Sequence, residues 1–226
     1  VDHVFTDVEN LLAPNSMLVF NNTRVVQARL LFEKTRGARP IEIFCLEPVK
    51  GDVQQAMSTK NTLDFECMVG NAKRWTDGLE LTLHLSNNVV LKVIKRDRKS
   101  DTFIVNFRWN GDFTFAEILE LAGKMPLPPY LKRESENDDK QRYQTVYARF
   151  DGSVAAPTAG LHFTDELLSI LEKKGIKRLE TTLHVGAGTF KPVTSAVVRQ
   201  HEMHAEEIHV QRSLIKELMM HNGPII

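Results

Sequence analysis

Two turns far apart in the chain carry the side chains best suited to chemistry. One is Ser153-Val154-Ala155-Ala156-Pro157-Thr158-Ala159-Gly160-Leu161-His162-Phe163-Thr164, and the other is His184-Val185-Gly186-Ala187-Gly188-Thr189-Phe190-Lys191-Pro192. Small residues leave backbone N–H groups uncovered, so a ligand can approach closely. Each turn also brings a histidine and a phenylalanine. The Gly-x-Gly of the second lacks the third glycine of a dinucleotide site. The plain alternative for the first is a tight turn before an ordinary surface helix.

A third constellation is His201-Glu202-Met203-His204-Ala205-Glu206-Glu207. His201 and His204 are three apart and would share a helix face, with Glu206 near. A zinc-binding helix has its histidines four apart with Glu beside the first. An acid/base cluster fits better, because a His–Glu pair can hold a titrating group near neutrality. The plain alternative is a solvated helix start. Farther upstream, Asn21-Asn22-Thr23-Arg24 follows the apolar run Met17-Leu18-Val19-Phe20. Polar residues just past a buried strand are where open α/β sheets hold ligands. Asn21 and Asn22 can donate and accept, and Arg24 offers a planar fork for phosphate or carboxylate. A hairpin turn closed by Asn-Asn is the competing reading. Arg142 and Tyr143 lie in a stretch that interleaves cations with rings, as unpaired bases require, although Tyr143 and Tyr147 could equally form a core-facing helix stripe.

These groups need a scaffold. Spacing predicts a short helix in residues 1–12, a buried strand over 17–20 and an extended stretch at 25–31. Alternation then predicts strand after strand to about residue 109: 41–46, 63–69, 79–85, 89–93 and 103–107. Gly70, Gly78 and Asn87-Asn88 supply turns. Short strands at near-regular spacing suggest a small antiparallel barrel or sandwich. The basic run at Lys92, Lys95, Arg96, Arg98 and Lys99 reads first as a solvated edge. Helices are predicted at 115–121, at 165–174 with Gly175 as cap, and at 213–220, and a strand at 176–183. The prolines of residues 125–133 stiffen an extended connection that presents Tyr130, Lys132 and Arg133. The fold class is thus α/β: a discontinuous α/β domain over 1–30 and 122–226, with a small antiparallel β-barrel domain inserted at 31–121. A cleft between the two would be the natural site.

Composition narrows the functional classes. Of 226 residues, 42% are hydrophobic and 26% charged, as in an ordinary globular protein. Lys+Arg and Asp+Glu are both 29, which argues against a strongly basic nucleic-acid coat but not against a local patch. Cys45 and Cys67 are too few for a metal framework and read as buried thiols in a reducing cytoplasm. No run approaches the roughly 18 apolar residues of a membrane helix, and no signal peptide is visible. Gly223-Pro224-Ile225-Ile226 reads as the start of a strand, and an opening Val1 suggests an internal piece of a longer protein.

Several strings together resemble the S-adenosylmethionine:tRNA ribosyltransferase-isomerase family. They are Val19-Phe20-Asn21-Asn22-Thr23-Arg24-Val25-Val26-Gln27-Ala28-Arg29-Leu30, Pro126-Leu127-Pro128-Pro129-Tyr130, Arg142-Tyr143-Gln144-Thr145-Val146-Tyr147-Ala148, residues 153–164, Thr182-Leu183-His184-Val185-Gly186-Ala187-Gly188-Thr189-Phe190 and His201-Glu202-Met203-His204-Ala205-Glu206. They occur in the family's order. Residues 31–123 carry little of the likeness. Gln27 stands where the family usually has proline, and the family has further segments before and after.

The resemblance implies a fold of two domains and a specific reaction. The ribosyl part of S-adenosylmethionine moves to the aminomethyl group of a 7-deazaguanine base at the tRNA wobble position. Epoxyqueuosine forms, and adenine and methionine leave. S-adenosylmethionine is a consumed co-substrate, so no cofactor and no metal are implied. The partners would be S-adenosylmethionine and the tRNA anticodon loop, with no membrane, in a cytoplasmic monomer. His162, His184, His201, His204 and Glu206 are the expected acid/base groups. Asn21, Asn22, Thr158, Ala159, Gly160, Phe163, Gly186, Gly188, Thr189 and Phe190 would hold S-adenosylmethionine. Arg24, Arg29, Lys132, Arg133, Arg142 and Tyr143 would engage tRNA. Which histidine is base and which acid stays open. The competing class is a non-catalytic RNA-binding module.

Overall fold

The computed structural model describes every residue except 1, 35–36, 129–130, 132, 134, 137, 191–198 and 200–204, and of Phe190 only the backbone. Expectations for Tyr130, Lys132, His201 and His204 therefore lie outside the described residues.

The largest sheet has six antiparallel strands in the order β3-β4-β5-β8-β7-β6. These are β3 (Arg29–Phe32), β4 (Ile41–Pro48), β5 (Thr62–Gly70), β6 (Glu80–His84), β7 (Val90–Lys99) and β8 (Thr102–Trp109). The sheet curls until its edges β3 and β6 approach, giving a barrel-like form. Strand alternation sends Ile41, Ile43 and Cys45 inward from β4, and Leu91 and Val93 from β7. Helix α3 (Phe115–Ala122) plugs this interior. Its N-cap is Thr114, whose hydroxyl accepts from Glu117 N while the Glu117 carboxylate accepts from Thr114 N. The Phe115 ring lies 5.3 Å from that of Phe65, 5.2 Å from Phe107 and 5.7 Å from Trp109.

The second layer is parallel at its heart. Strand β1 (Met17–Asn21) pairs in parallel with β10 (Lys177–His184), and β10 pairs antiparallel with β11 (Glu207–His209). On the other side of β1, Met17 N donates to Pro224 O at 2.8 Å and Val19 N to Ile226 O at 2.8 Å. The closing residues are therefore extended, as their sequence predicts. Helix α5 (Asp165–Lys173), capped by Thr164, lays Leu167 and Leu171 on Leu18, Phe20 and Ile176. Helix α6 (Arg212–Met220) follows β11. Strand β2 (Thr23–Val25) continues β1 and pairs in parallel with β9 (Phe150–Ser153). The α/β class with an antiparallel barrel is thus observed. One hydrophobic cluster runs from the barrel interior to Val26, Ala28, Val154 and Ala187.

Some local readings change. Residues 1–12 yield a 3-10 turn, Phe5–Asp7, and a single helical turn, α1 (Val8–Leu11). Helix α2 (Val53–Ser58) lies in the stretch read as strands only. Asp52 caps it, accepting from Gln55 N at 2.7 Å. Asn21-Asn22 closes no hairpin. The turn after β5 is made by left-handed Asn71, not Gly70. In the basic run, Lys92 meets Glu80 at 2.9 Å, Lys95 meets Asp77 at 2.8 Å, and Lys99 meets Glu66. Cys45 and Cys67 face each other across β4 and β5 as free, buried thiols. Burial is the main reason the Cys67 thiol is pushed well above its usual pKa. Among the described residues, no helix is long and apolar enough to cross a membrane.

Candidate functional site

The two histidine turns meet at their roots. Val154 N donates to Val185 O at 2.8 Å, and Val185 N donates to Ser153 Oγ at 3.0 Å. Ser153 is wholly buried, and its hydroxyl also donates to Thr23 Oγ1 at 2.7 Å. One serine thus ties β2, β9 and the exit of β10 together.

Beyond that root the histidines part. His162 ends a 3-10 turn, Thr158–His162, and is exposed. Its ring lies 5.0 Å from Phe5, and its Nδ1 is 3.2 Å from Ala159 O. His184 is the last residue of β10 and is buried. It lines a cavity of about 280 Å³ with Val53, Gly152, Gly186, Glu206 and Glu207, and His162 is not in that wall. None of the cavities described here, all lined by described residues, has both histidines in its wall. The 3-10 turn carries His162 onto Phe5.

The ladder supplies groups that sequence reading missed. In the β10–β11 register, Glu207 stands opposite His184 and His209 opposite Thr182. Strand periodicity puts Glu207 and His209 on one face. Ligating atoms of His184, Glu207 and His209 lie within 4.8 Å of one another, so this trio could hold a metal. The Glu207 carboxylate accepts from Val53 N at 3.1 Å and is bonded to His209 Nε2. The sequence constellation ends at Glu207 and leaves Ile208 and His209 unmarked. The alternation Glu-x-His was the available signal. Gly186 N donates to Glu206 Oε1 at 3.1 Å, and a Cβ on Gly186 would meet nothing within 4 Å, so its Cα faces open space.

Among the described residues neither ring nitrogen of His184 has a hydrogen-bond partner, and both are buried. Burial depresses its pKa; Glu207 opposes this and His209 adds to it. His184 is therefore held neutral, with a free lone pair. Gly152 makes room for the ring. A Cβ there would stand 2.7 Å from His184 Nδ1 and 2.4 Å from Val53 Cγ1.

Other expected ligand contacts find work inside the protein. Asn21 donates to Leu183 O at 2.9 Å and accepts from Leu183 N at 3.1 Å. Asn22 donates to Glu180 Oε2 at 3.2 Å and accepts from Thr182 Oγ1 at 2.8 Å. The pair zips β1 to β10, so neither amide is directed at a ligand. A Cβ on Gly160 would stand 2.2 Å from Tyr147 Oη, so that glycine serves internal fit, and its N–H is taken by Pro157 O. Phe163 is wedged between Phe5 and Phe20, 4.9 Å from each. Thr158, Ala159 and Thr189 are exposed, and Gly188 is half-buried.

The expected tRNA contacts divide in the same way. Tyr143 is buried with Val25, Met125 and Ala156 and offers no free face for a base. Tyr143 and Tyr147 form no helix stripe either, because α4 (Asp139–Arg142) ends before both. Arg29 is held by Glu42 at 2.5 Å. Arg24 and Arg142 are exposed. Arg24 lines a cleft of about 660 Å³ with Gln27, Glu120, Gln144 and Asp151. There burial raises the Asp151 pKa against the pull of Arg24.

Arg133 forms a bidentate pair with buried Asp139, at 2.6 and 2.7 Å, and Glu136 N adds a third bond at 2.8 Å. Arg133, and then that N–H, hold the Asp139 carboxyl down to about 2. A depressed carboxylate pKa gives stability that is complete above the unfolded value, near 4, and is lost as pH falls through about 2. Asp139→Asn is expected to cost about 1–2 kcal/mol at pH 7, allowing for solvent around the arginine. Urea unfolding at pH 7 and pH 2 checks this. A deficit of equal size at both pH values would refute the pairing as its source.

Comparison with known proteins supplies the remaining information. The family described as queuosine biosynthesis protein matches residues 1–223. The S-adenosylmethionine:tRNA ribosyltransferase-isomerase of Trichlorobacter lovleyi is 43% identical over 202 residues, which is 89% of this chain and 54% of that relative. The chain therefore spans about half the length of the curated relative it matches. The crystal structure of S-adenosylmethionine tRNA ribosyltransferase from Thermotoga maritima aligns with 95% of this chain and 50% of its own, at 20% identity and a TM-score of 0.29.

Proposed function

Because the chain belongs to the queuosine biosynthesis protein family, we propose that it carries part of the active centre of an S-adenosylmethionine:tRNA ribosyltransferase-isomerase. The reaction moves the ribosyl moiety of S-adenosylmethionine onto 7-aminomethyl-7-deazaguanine at the wobble position of tRNA. It yields epoxyqueuosine, adenine and methionine. The relative's name supports this reading, and so does one observation: His184 is a buried imidazole in the wall of a cavity, with no hydrogen-bond partner among the described residues.

The chemistry needs such a group. A C–H beside a sulfonium is acidified, and its proton passes to a base whose pKa is not far below neutrality. Burial keeps the His184 lone pair available for that proton. Glu207 and His209 stand beside the ring, and Glu207 favours the imidazolium once it forms. Adenine must leave as a protonated base, so a second group supplies a proton. Glu206, fixed on Gly186 N, borders the same cavity. His162 has no place in this wall, and the proposal leaves it out. Exposed Arg24 and Arg142 suit the phosphates of the anticodon loop.

The test uses the whole protein with S-adenosylmethionine and tRNA bearing the aminomethyl-deazaguanine base. Nucleoside mass and free adenine are followed together. The expected result is the epoxyqueuosine mass and one adenine per event. Bound tRNA with S-adenosylmethionine left intact would make the protein an RNA-binding module and overturn the proposal.

A further inference from the structure

Buried polar atoms in folded proteins have partners, and each exception calls for an explanation. His184 has two such exceptions on one ring. Both nitrogens are desolvated without return, which is costly for a group that could have kept its water. Beside it stand Glu207, directly across the ladder, and His209, two residues further along the same face, with ligating atoms of the three within 4.8 Å of one another.

We propose that His184, Glu207 and His209 form a binding site for one divalent first-row transition ion of the zinc type. Two imidazoles and a carboxylate are a donor set that zinc accepts, at about 2.0–2.2 Å from each ligand. The backbone already fixes two of the three donors at neighbouring ladder positions, and the Val53 N–H fixes the free side of the Glu207 carboxylate. The present spread of up to 4.8 Å closes through rotation of the half-exposed His209 side chain, whose ring is 6.0 Å from that of His184. An ion would replace the hydrogen bond between His209 and Glu207, and it would satisfy a ring nitrogen of His184 that has no partner among the described residues. Three protein ligands leave a fourth position, and the adjoining cavity of about 280 Å³ can supply a water or an anionic group to it. His184 is the residue proposed above as the base. An imidazole whose lone pair is on a metal cannot accept a proton, so ion binding silences it. That consequence rests on the proposed function; the site itself does not.

The experiment uses the whole protein, stripped with a chelator and titrated with Zn²⁺ by calorimetry and with Co²⁺ by visible absorption. One ion per chain and a tetrahedral Co²⁺ band are expected. His209→Ala and Glu207→Gln should each weaken Zn²⁺ binding by at least about tenfold. Absence of heat and of the Co²⁺ band in the unaltered protein would overturn the site, and that arm needs no variant. Undiminished binding in both variants would place the ion elsewhere and would also overturn it. Adenine release should fall in Zn²⁺ and return on chelation. Binding without that inhibition would uphold the site and remove His184 as the base.

Discussion

Replacing His184 with glutamine lowers adenine release by about 10²–10⁴-fold, the range for loss of a positioned general base. Glutamine keeps the polarity and much of the length of the side chain, but its amide cannot take up a proton near neutrality. Structure elsewhere should hold, because neither ring nitrogen makes a hydrogen bond that glutamine would break. The expected pattern is a fall in turnover with tRNA affinity unchanged. Stability against pH gives an independent readout. A buried histidine with a lowered pKa contributes stability that is present above its unfolded value, about 6.5, and lost as pH falls through the lower folded value. The glutamine variant should lose that slope, so its melting temperature should depend less on pH below about 6.5. Turnover reduced by less than about tenfold would remove His184 from the mechanism. A flat parent profile over the same range would instead contradict its burial as a neutral group.

Gly152→Ala acts on the same cavity, at a residue packed against His184. The residue sits at φ +143°, a conformation that side chains rarely adopt. The added methyl would also meet Val53 Cγ1 at 2.4 Å and His184 Nδ1 at 2.7 Å. Strain of about 1–3 kcal/mol and overfilling of about 1–3 kcal/mol together give an expected loss of about 2–6 kcal/mol. Urea unfolding measures it. Gly186→Ala is the matched control: nothing lies within 4 Å of its added methyl, so stability should barely change. Equal stability of the parent and Gly152→Ala would mean that β9 does not stand against His184 as described. If the glycine is what seats His184, the variant should also lose turnover at temperatures where it remains folded.

Much of the barrel was legible before any coordinates. Strands β4 to β8 alternate inward and outward residues, and that period is a local property. Helix α5 announces itself through Thr164, because a cap satisfies N–H groups a few residues away, and α3 through its amphipathic spacing. Helix α2 is hard to read because six residues are too few to set a period, although Asp52 stands at the cap position ahead of Gln55 N. Asn21 and Asn22 look like ligand groups in sequence. Their partners, Glu180, Thr182 and Leu183, come from some 160 residues away, and only the β1–β10 pairing reveals that those amides are occupied. Tyr143 misleads in the same way, since burial hides the ring that a base would have used.

The sequence by itself determined the family, the α/β class with an antiparallel barrel, and the two small-residue turns, whereas their meeting at the root is a hydrogen bond of the fold. These follow from short-range periodicity, caps and specific strings. Tertiary structure decided which histidine faces a cavity and what stands beside it. Ladder register sets Glu207 against His184, and burial strips that ring of water and proton together. A 3-10 turn sends His162 elsewhere. Charge state and company depend on neighbours that are distant along the chain, and hydrogen bonding across strands is the physical step that brings them into place.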